Sequence, residues 1–267
     1  MADAGSWEFE GARGRIAVRD WANPGARYVA VLVHGYGEHI GRYDHVADAL
    51  IANGATVTGP DHIGHGRSAG ERVLVDDFAD VVADLHTVIT RTAAAHPGLP
   101  VVLIGHSMGG MIAARYAQVH GPGLAALVLS GPVLGSWAAL ELADAEVIPD
   151  DPLDTSTLSR DPAVGAAYTA DPLVWHGPFN RTMLRSLARC VDEINFGGRL
   201  GALPTLWVHG EDDQLVPISA TRAGIERIRG DDFTGRTFPG ARHEVFNETN
   251  ADEVLAEVTA FVDRVLR

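Results

Sequence analysis

Gly105-His106-Ser107-Met108-Gly109 reads G-x-S-x-G. In that pattern a serine sits on a tight turn between a strand and a helix, and glycines on either side keep side chains away from Oγ. Such a serine can add to an ester or amide carbonyl and hold the acyl group, provided that a base takes its proton. The pattern alone does not decide. With nine serines and 30 glycines in 267 residues, roughly 0.1 chance matches are expected, yet a second match, Gly66-Arg67-Ser68-Ala69-Gly70, is present. Context separates them. An apolar run, Val101–Ile104, precedes Ser107 and a helical pattern, Met108–His120, follows it. Ser68 has a His-Gly loop before it and Glu71-Arg72 after it. Ser107 is therefore the candidate nucleophile and Ser68 a solvated loop hydroxyl.

A serine needs a base, and the base needs an acid to fix its tautomer. In enzymes built around this turn the chain order is serine, acid, histidine. Of the 12 histidines, His243 alone follows a late strand pattern, Arg236–Phe238, and precedes the closing helical pattern. Asp213 follows the strand pattern Leu206–His209, with Asp212 as its solvated neighbour; the bland reading of both is turn composition before Pro217. The tetrahedral oxyanion needs N–H donors. Met108, just after the nucleophile, supplies one. Tyr36, in the glycine-rich His34-Gly35-Tyr36-Gly37-Glu38 after the third strand pattern, supplies the other.

Rival chemistries are weaker. Gly35-x-Gly37-x-x-x-Gly41 with Asp61 beyond it resembles a dinucleotide fingerprint, but its last glycine comes one residue late. His62 and His65 flank Ile63-Gly64 without carboxylates at ligand spacing, so a hydrogen-bonded loop is expected rather than a metal site. His34, His39, His45 and His106 read as structural. Cys190 is the single cysteine, which excludes an intrachain disulfide and a thiolate cluster. The net charge of −14, from 21 arginines and 35 acids with no lysine, argues against nucleic acid and against electrostatic docking on anionic lipid. No organic cofactor or metal is expected. The N-terminus lacks a basic and apolar leader pattern, and the uncharged stretch 121–140 is broken by Gly131-Pro132 and Gly135, so a cytoplasmic protein is expected.

The elements that must position these groups alternate along the chain. Strand patterns fall at Trp7–Phe9, Arg15–Asp20, Tyr28–Val33, Ala55–Thr58, Val101–Ile104, Leu124–Ser130, Leu206–His209 and Arg236–Phe238. Helical patterns fall at Tyr43–Asn53, Val75–His96, Met108–His120, Ser219–Arg229 and Asp252–Arg267. Apolar runs with helices between them mean a mostly parallel, eight-stranded sheet covered on both faces. The alternation breaks between Pro132 and Ala202, where X-Pro steps and scattered Trp, Phe and Leu suggest an inserted helical cap, or lid. The expected organisation is a core over 1–131 and 203–267 with a cap over 132–202. Leu134, Trp137, Leu140 and Leu142 suggest a helix that meets a lipid surface near the start of the cap.

Five stretches carry a family resemblance: HGYGEHIGRYDHVADAL from His34, GPDHIGHGRSAGER from Gly59, GHSMGG from Gly105, SRDPAVGAAYTADPLVWHG from Ser159 and ARHEVFNE from Ala241. Together they resemble the monoacylglycerol lipase family of α/β hydrolases, particularly its bacterial members. The resemblance implies the α/β-hydrolase fold, a triad of Ser107, Asp213 and His243, and Tyr36 and Met108 as oxyanion donors. It further implies that Glu38, Arg42, His106 and Tyr168 surround a glycerol head group. The bland reading of Glu38 and Arg42 is an i,i+4 surface ion pair, and of Tyr168, lid packing. Tyr36 stands where animal members carry a small residue and Trp175 where they carry a thiol; Glu211-Asp212-Asp213 is more acidic than is usual around the triad acid. The expected activity is hydrolysis of monoacylglycerol to glycerol and fatty acid through an acyl-enzyme. A short-chain carboxylesterase or lysophospholipase with the same triad is the alternative, and a non-catalytic ligand-binding protein on the same fold the remaining one.

Overall fold

The central strands are apolar on both faces, and that decides the architecture. In β3 (Tyr28–Val33) the side chains of Val29, Val31 and Val33 join one core, while Tyr28, Ala30 and Leu32 join the other. β5 (Val101–His106) and β6 (Ala126–Ser130) split in the same way, Leu103 and Leu129 to one side, Val102 and Val128 to the other. A strand with that pattern must be covered twice, and burying each Val or Leu side chain stabilises the fold by about 1.5–3 kcal/mol.

The computed structural model describes residues 4–267. The remaining strands are β1 (Ala4–Gly11), β2 (Gly14–Trp21), β4 (Ala55–Pro60), β7 (Thr205–Gly210) and β8 (Phe233–Phe238). They form one eight-stranded sheet in the order β1-β2-β4-β3-β5-β6-β7-β8. The pairs β1/β2 and β2/β4 are antiparallel; from β4 to β8 every pair is parallel. Helices α2 (Phe78–Ala95), α3 (Met108–His120) and α6 (Ile218–Ile228) cover one face, and α1 (Asp44–Ala52) and α7 (Ala251–Val265) the other.

The two opening strands are longer than the sequence pattern suggests because they form a hairpin. Register runs from Ala4↔Trp21 to Gly11↔Gly14, and Gly14 closes the turn at a φ of 137°. The Asp84 carboxylate of α2 accepts the Ala12 N–H at 2.8 Å and anchors that turn. α2 itself begins after the apolar pattern does, because the Asp77 side chain caps it by accepting from the Ala79 N–H.

Between β6 and β7 the chain leaves the alternation. It makes two short 3-10 helices, Ala138–Asp144 and Thr155–Thr157, then α4 (Pro162–Ala170) and α5 (Arg181–Phe196). α5 is strongly two-sided: Met183, Leu187, Cys190, Val191 and Ile194 enter the main core beside α3. The expected lipid-facing helix of Leu134, Trp137, Leu140 and Leu142 does not form. Leu134 is fully buried in the core, Trp137 donates its indole N–H to the Leu215 carbonyl at 2.7 Å, and Leu142 turns into a cavity. The large apolar side chains left in water on this insertion are Phe196 at the end of α5, at 84% exposure, and Val147 and Leu153, at 77% and 41%; of these Leu153 borders the same cavity. Among the described residues no helix is long and apolar enough to cross a membrane.

Candidate active site

β5 ends at His106 and α3 starts at Met108, so Ser107 must turn the chain in one residue. It does so at φ 55° and ψ −119°. That conformation is strained for any residue with a Cβ and is held by its surroundings. The Ser107 N–H donates to the Ser130 carbonyl at 2.9 Å, and its carbonyl accepts from Val133 and Met111 at 3.1 Å. The flanking glycines are required by space: a Cβ on Gly105 would overlap the Gly109 backbone, and one on Gly109 would overlap the Val33 carbonyl.

Three loops at the carboxyl edge bring the candidate triad together. His243, in the loop after β8, places Nε2 2.9 Å from Ser107 Oγ. Its Nδ1 lies 2.7 Å from Asp213 Oδ2. Asp213 follows β7, and its Oδ1 accepts from the Leu215 and Val216 N–H groups at 3.0 and 2.8 Å. Asp212 is exposed. Burial alone would raise the Asp213 carboxyl, but His243 and the hydrogen bonds from His209 and His243 hold it well below the usual carboxylate range. Burial alone would lower His243; the charge and hydrogen bond of Asp213 outweigh it and raise the imidazole above its ordinary value. A base so raised still passes a proton from Oγ to a leaving alkoxide.

Ser68, by contrast, is consumed by structure. Its Oγ donates to the Asp61 carbonyl at 2.6 Å and accepts from the Ala17 N–H at 2.9 Å. Asp61 accepts from the Ile40 and Arg67 N–H groups at 2.8 Å, so both its oxygens hold loops.

The Met108 and Tyr36 N–H groups meet no acceptor among the described residues. The Gly35–Tyr36 peptide is held from behind. Its carbonyl lies 2.8 Å from His34 Nδ1, while His34 Nε2 accepts from the His62 N–H at 3.0 Å. Nδ1 therefore carries the hydrogen, and a trans peptide places the Tyr36 N–H on the side away from that bond. His62 and His65 pack their rings 4.2 and 5.4 Å from His34, forming a buried imidazole cluster behind the loop.

Glu38 and Arg42 are an i,i+4 pair, but a buried one. Glu38 Oε1 accepts from the Gly35 N–H at 2.6 Å and from the Tyr43 hydroxyl at 2.7 Å; Oε2 accepts from Arg42 at 2.6 Å. Arg42 also grips Glu244 with two bonds of 2.8 Å. Burial would raise Glu244, but Arg42 overcomes it and holds the carboxyl low. The guanidinium lies 4.9 Å from the centre of the Tyr168 ring. His106 packs its ring 4.8 Å from His243, and burial, then His243, pushes it down to about 3.

These groups line one cavity of about 400 Å³. Its polar lining includes Ser107, His243, Glu38, Arg42, His106 and Tyr168; its apolar lining includes Trp137, Leu142, Leu158, Phe179 and Leu215. The insertion closes over it and is tied to both loops of the site. The Trp175 N–H donates to the Gly37 carbonyl at 2.7 Å, and His39 Nε2 lies 2.8 Å from Asp171 Oδ2. The Glu244 N–H donates to the Leu158 carbonyl at 2.8 Å. His45 instead contacts the Phe246 carbonyl, outside the cavity.

Sequence reasoning did not single out Glu244 or His209. The signal for Glu244 was an acid directly after the base. The signal for His209 was a histidine closing the strand that carries the acid, with Trp207 two residues before it.

Residues 24–250 match the family model described as serine aminopeptidase, S33. A monoacylglycerol lipase of Mycolicibacterium smegmatis is 39% identical over 266 residues, covering 95% of either chain. Monoglyceride lipase of Rattus norvegicus is 31% identical, over 91% of this chain and 85% of its own. The crystal structure of a monoacylglycerol lipase of Paleococcus ferrophilus superposes with a TM-score of 0.79 at 25% identity, over 98% of this chain and 99% of that one. A turn-borne serine at the edge of a mostly parallel sheet, the family match across the core and relatives alike over nearly their whole length lead to one conclusion: this chain belongs to the monoacylglycerol lipase family of α/β hydrolases.

Proposed function

We propose that the protein is a carboxylic ester hydrolase that cleaves a monoacylglycerol to glycerol and a fatty acid, with Ser107 as nucleophile, His243 as base and Asp213 as the acid that orients it. One observation carries this reading. The Ser107–His243–Asp213 line opens into a cavity lined both by apolar side chains, Trp137, Leu142, Phe179 and Leu215 among them, and by the charged group of Glu38, Arg42 and Glu244. The apolar lining suits an acyl chain and the charged group a small polyol.

His243 takes the Oγ proton as Ser107 attacks the acyl carbonyl, and the Met108 and Tyr36 N–H groups meet the oxyanion. Glycerol leaves with that proton. Water, deprotonated by the same imidazole, then releases the fatty acid and returns the proton to Oγ. Removal of Glu38 or Arg42 disturbs the oxyanion loop as well as the head-group pocket, because Glu38 holds the Gly35 N–H. Burial of the acyl chain against Trp137, Leu142, Phe179 and Leu215 gives chain-length preference of about 0.8 kcal/mol per CH₂.

The charged group in the cavity lining holds two carboxylates against one guanidinium. That excess disfavours a phosphorylated head group and favours an uncharged one over a lysophospholipid. Residues 132–202 act as a cap, and Val147 and Leu153 are its contact with micelles or membranes. The deciding experiment compares kcat/KM for monoacylglycerols, lysophospholipids, triacylglycerol and p-nitrophenyl esters. Preference for monoacylglycerol supports the reading; preference for a short p-nitrophenyl ester or a lysophospholipid replaces it. Labelling of Ser107, but not of Ser107→Ala, by a fluorophosphonate tests the catalytic assignment, and an unlabelled wild type would leave a binding protein.

A further inference from the structure

Behind Asp213 lies a second imidazole. His209 is wholly buried at the end of β7. The Trp207 indole N–H donates to its Nδ1 at 3.1 Å. An indole nitrogen only donates, so Nδ1 carries no hydrogen. Nε2 lies 2.9 Å from the Val216 carbonyl, which only accepts, so Nε2 carries it. The one Nε2 hydrogen is divided between that carbonyl and Asp213 Oδ2, which lies 3.2 Å from Nε2 and faces His243 at 2.7 Å. Two backbone N–H groups fill Oδ1. The carboxylate is thus held at four points, and one oxygen is divided between two imidazoles.

We propose that His209 is a positioning residue for the catalytic pair, sharing Asp213 Oδ2 with His243 and fixing the plane of the carboxylate, with Trp207 locking the tautomer that does so. The proposal rests on the reading of Asp213 as the triad acid. A second donor on Oδ2 spreads the charge of the carboxylate and weakens its pull on the His243 proton. Without that donor Asp213 attracts the imidazolium more strongly. The base then ionises at higher pH, and more of the enzyme is protonated and idle at neutrality. The other groups facing His243 are Glu244, Glu38 and His106, with Arg42 beyond the two glutamates. None of them is altered by changes at position 209.

The test is the pH profile of kcat/KM on a soluble p-nitrophenyl ester for His209→Phe, His209→Gln and Trp207→Phe. His209→Phe removes the donor, and its acid limb should move up by roughly half a pH unit to one unit, with a loss in plateau kcat. His209→Gln still donates and should restore the limb to near its wild-type position. Trp207→Phe removes one of the two groups that fix the tautomer, leaving the Val216 carbonyl, and should shift the limb the same way by less. Wild-type limbs in both His209→Phe and Trp207→Phe would overturn the proposal; if His209→Phe does not fold, Trp207→Phe decides alone. Asp213→Asn separates the two levels. Retained activity there overturns the triad assignment itself, whereas an inactive Asp213→Asn beside unshifted limbs in both His209→Phe and Trp207→Phe overturns only the role of His209.

Discussion

Arg42 and Glu244 meet through two parallel hydrogen bonds of 2.8 Å, one residue after the proposed base. The pair joins the loop that carries the Tyr36 N–H to the loop that carries His243. With the group nearly out of water, removing Arg42 strands the Glu38 and Glu244 carboxylates, whereas neutralising Glu244 leaves Arg42 paired with Glu38. Breaking a buried pair so that charge is left uncompensated typically costs about 3–5 kcal/mol. Arg42→Met should lower the urea midpoint accordingly, Glu244→Gln by less, and kcat should fall in both because two loops lose their common anchor. A pair that could be cut with a loss under about 1 kcal/mol would mean that water reaches it.

Ser107→Ala should reduce kcat by about 10⁶-fold, and His243→Ala by a similar factor, without additivity between them. Asp213→Asn should cost about 10⁴-fold, through the wrong imidazole tautomer. The exposed Asp212→Asn should cost far less. Ser68→Ala should leave kcat close to wild type and lower stability by about 1–3 kcal/mol, since its hydroxyl joins Asp61 to Ala17. Kinetics and urea unfolding on the same preparations separate the two serines; a catalytic loss at Ser68 with an active Ser107→Ala would reverse them.

Acid should unfold the protein early. Burial strongly lowers four imidazoles in the folded state, His62 and His106 to about 3, His65 to about 4 and His34 well below its ordinary value, and lowers the more exposed His120 as well. The unfolded chain binds protons at these sites from about 6.5 downward, while the folded chain does not. The stability they confer is therefore complete above pH 6.5 and lost as pH falls toward their folded values. At full slope each contributes about 1.4 kcal/mol per pH unit. His243 runs the other way, its raised value helping below 6.5, but it is one group against four. The urea midpoint should drop steeply between about pH 6.5 and 4.5, and His62→Asn should flatten the slope. An even midpoint across that window would show that these rings are protonated in place.

Val147→Asp with Leu153→Asp should lower activity on micellar monoacylglycerol severalfold and leave a soluble short-chain ester near wild type. Equal effects on the two substrates would remove the interfacial role.

Where the chain obeyed a period, the elements could be read. Alternating apolar runs located β3, β5, β6 and β7, and the strand and helix patterns on either side put Ser107, rather than Ser68, on the turn between β5 and α3. The misses had local causes. The hairpin of β1 and β2 carries polar side chains on its open face, so only part of each strand shows an apolar pattern. The insertion has no single period, since Leu134 serves the core, Leu142 the cavity and Val147 the surface. Spacing alone read Glu38 and Arg42 as a surface pair, because Glu244, which buries them, lies 202 positions from Arg42. His209 was hidden for a similar reason: its role follows from what Trp207, Val216 and Asp213 place around it.

The ties of the insertion also divide its labour. From Thr155 to Trp175 it is bonded to the backbone of the histidine loop and of the oxyanion loop, so it cannot swing without disassembling both. Residues 147–153 make no hydrogen bond among the described residues and have no regular structure, yet Pro149, Asp151, Pro152 and Leu153 border the cavity. On the proposed reading of the insertion as a cap, substrate traffic and chemistry fall to different halves of one excursion, a bonded vault and a sill without hydrogen bonds of its own. Exchange of residues 147–153 for another sequence would change how fast an acyl chain enters and leaves, and with what bulk, while the vault keeps the geometry of the reacting atoms as it is.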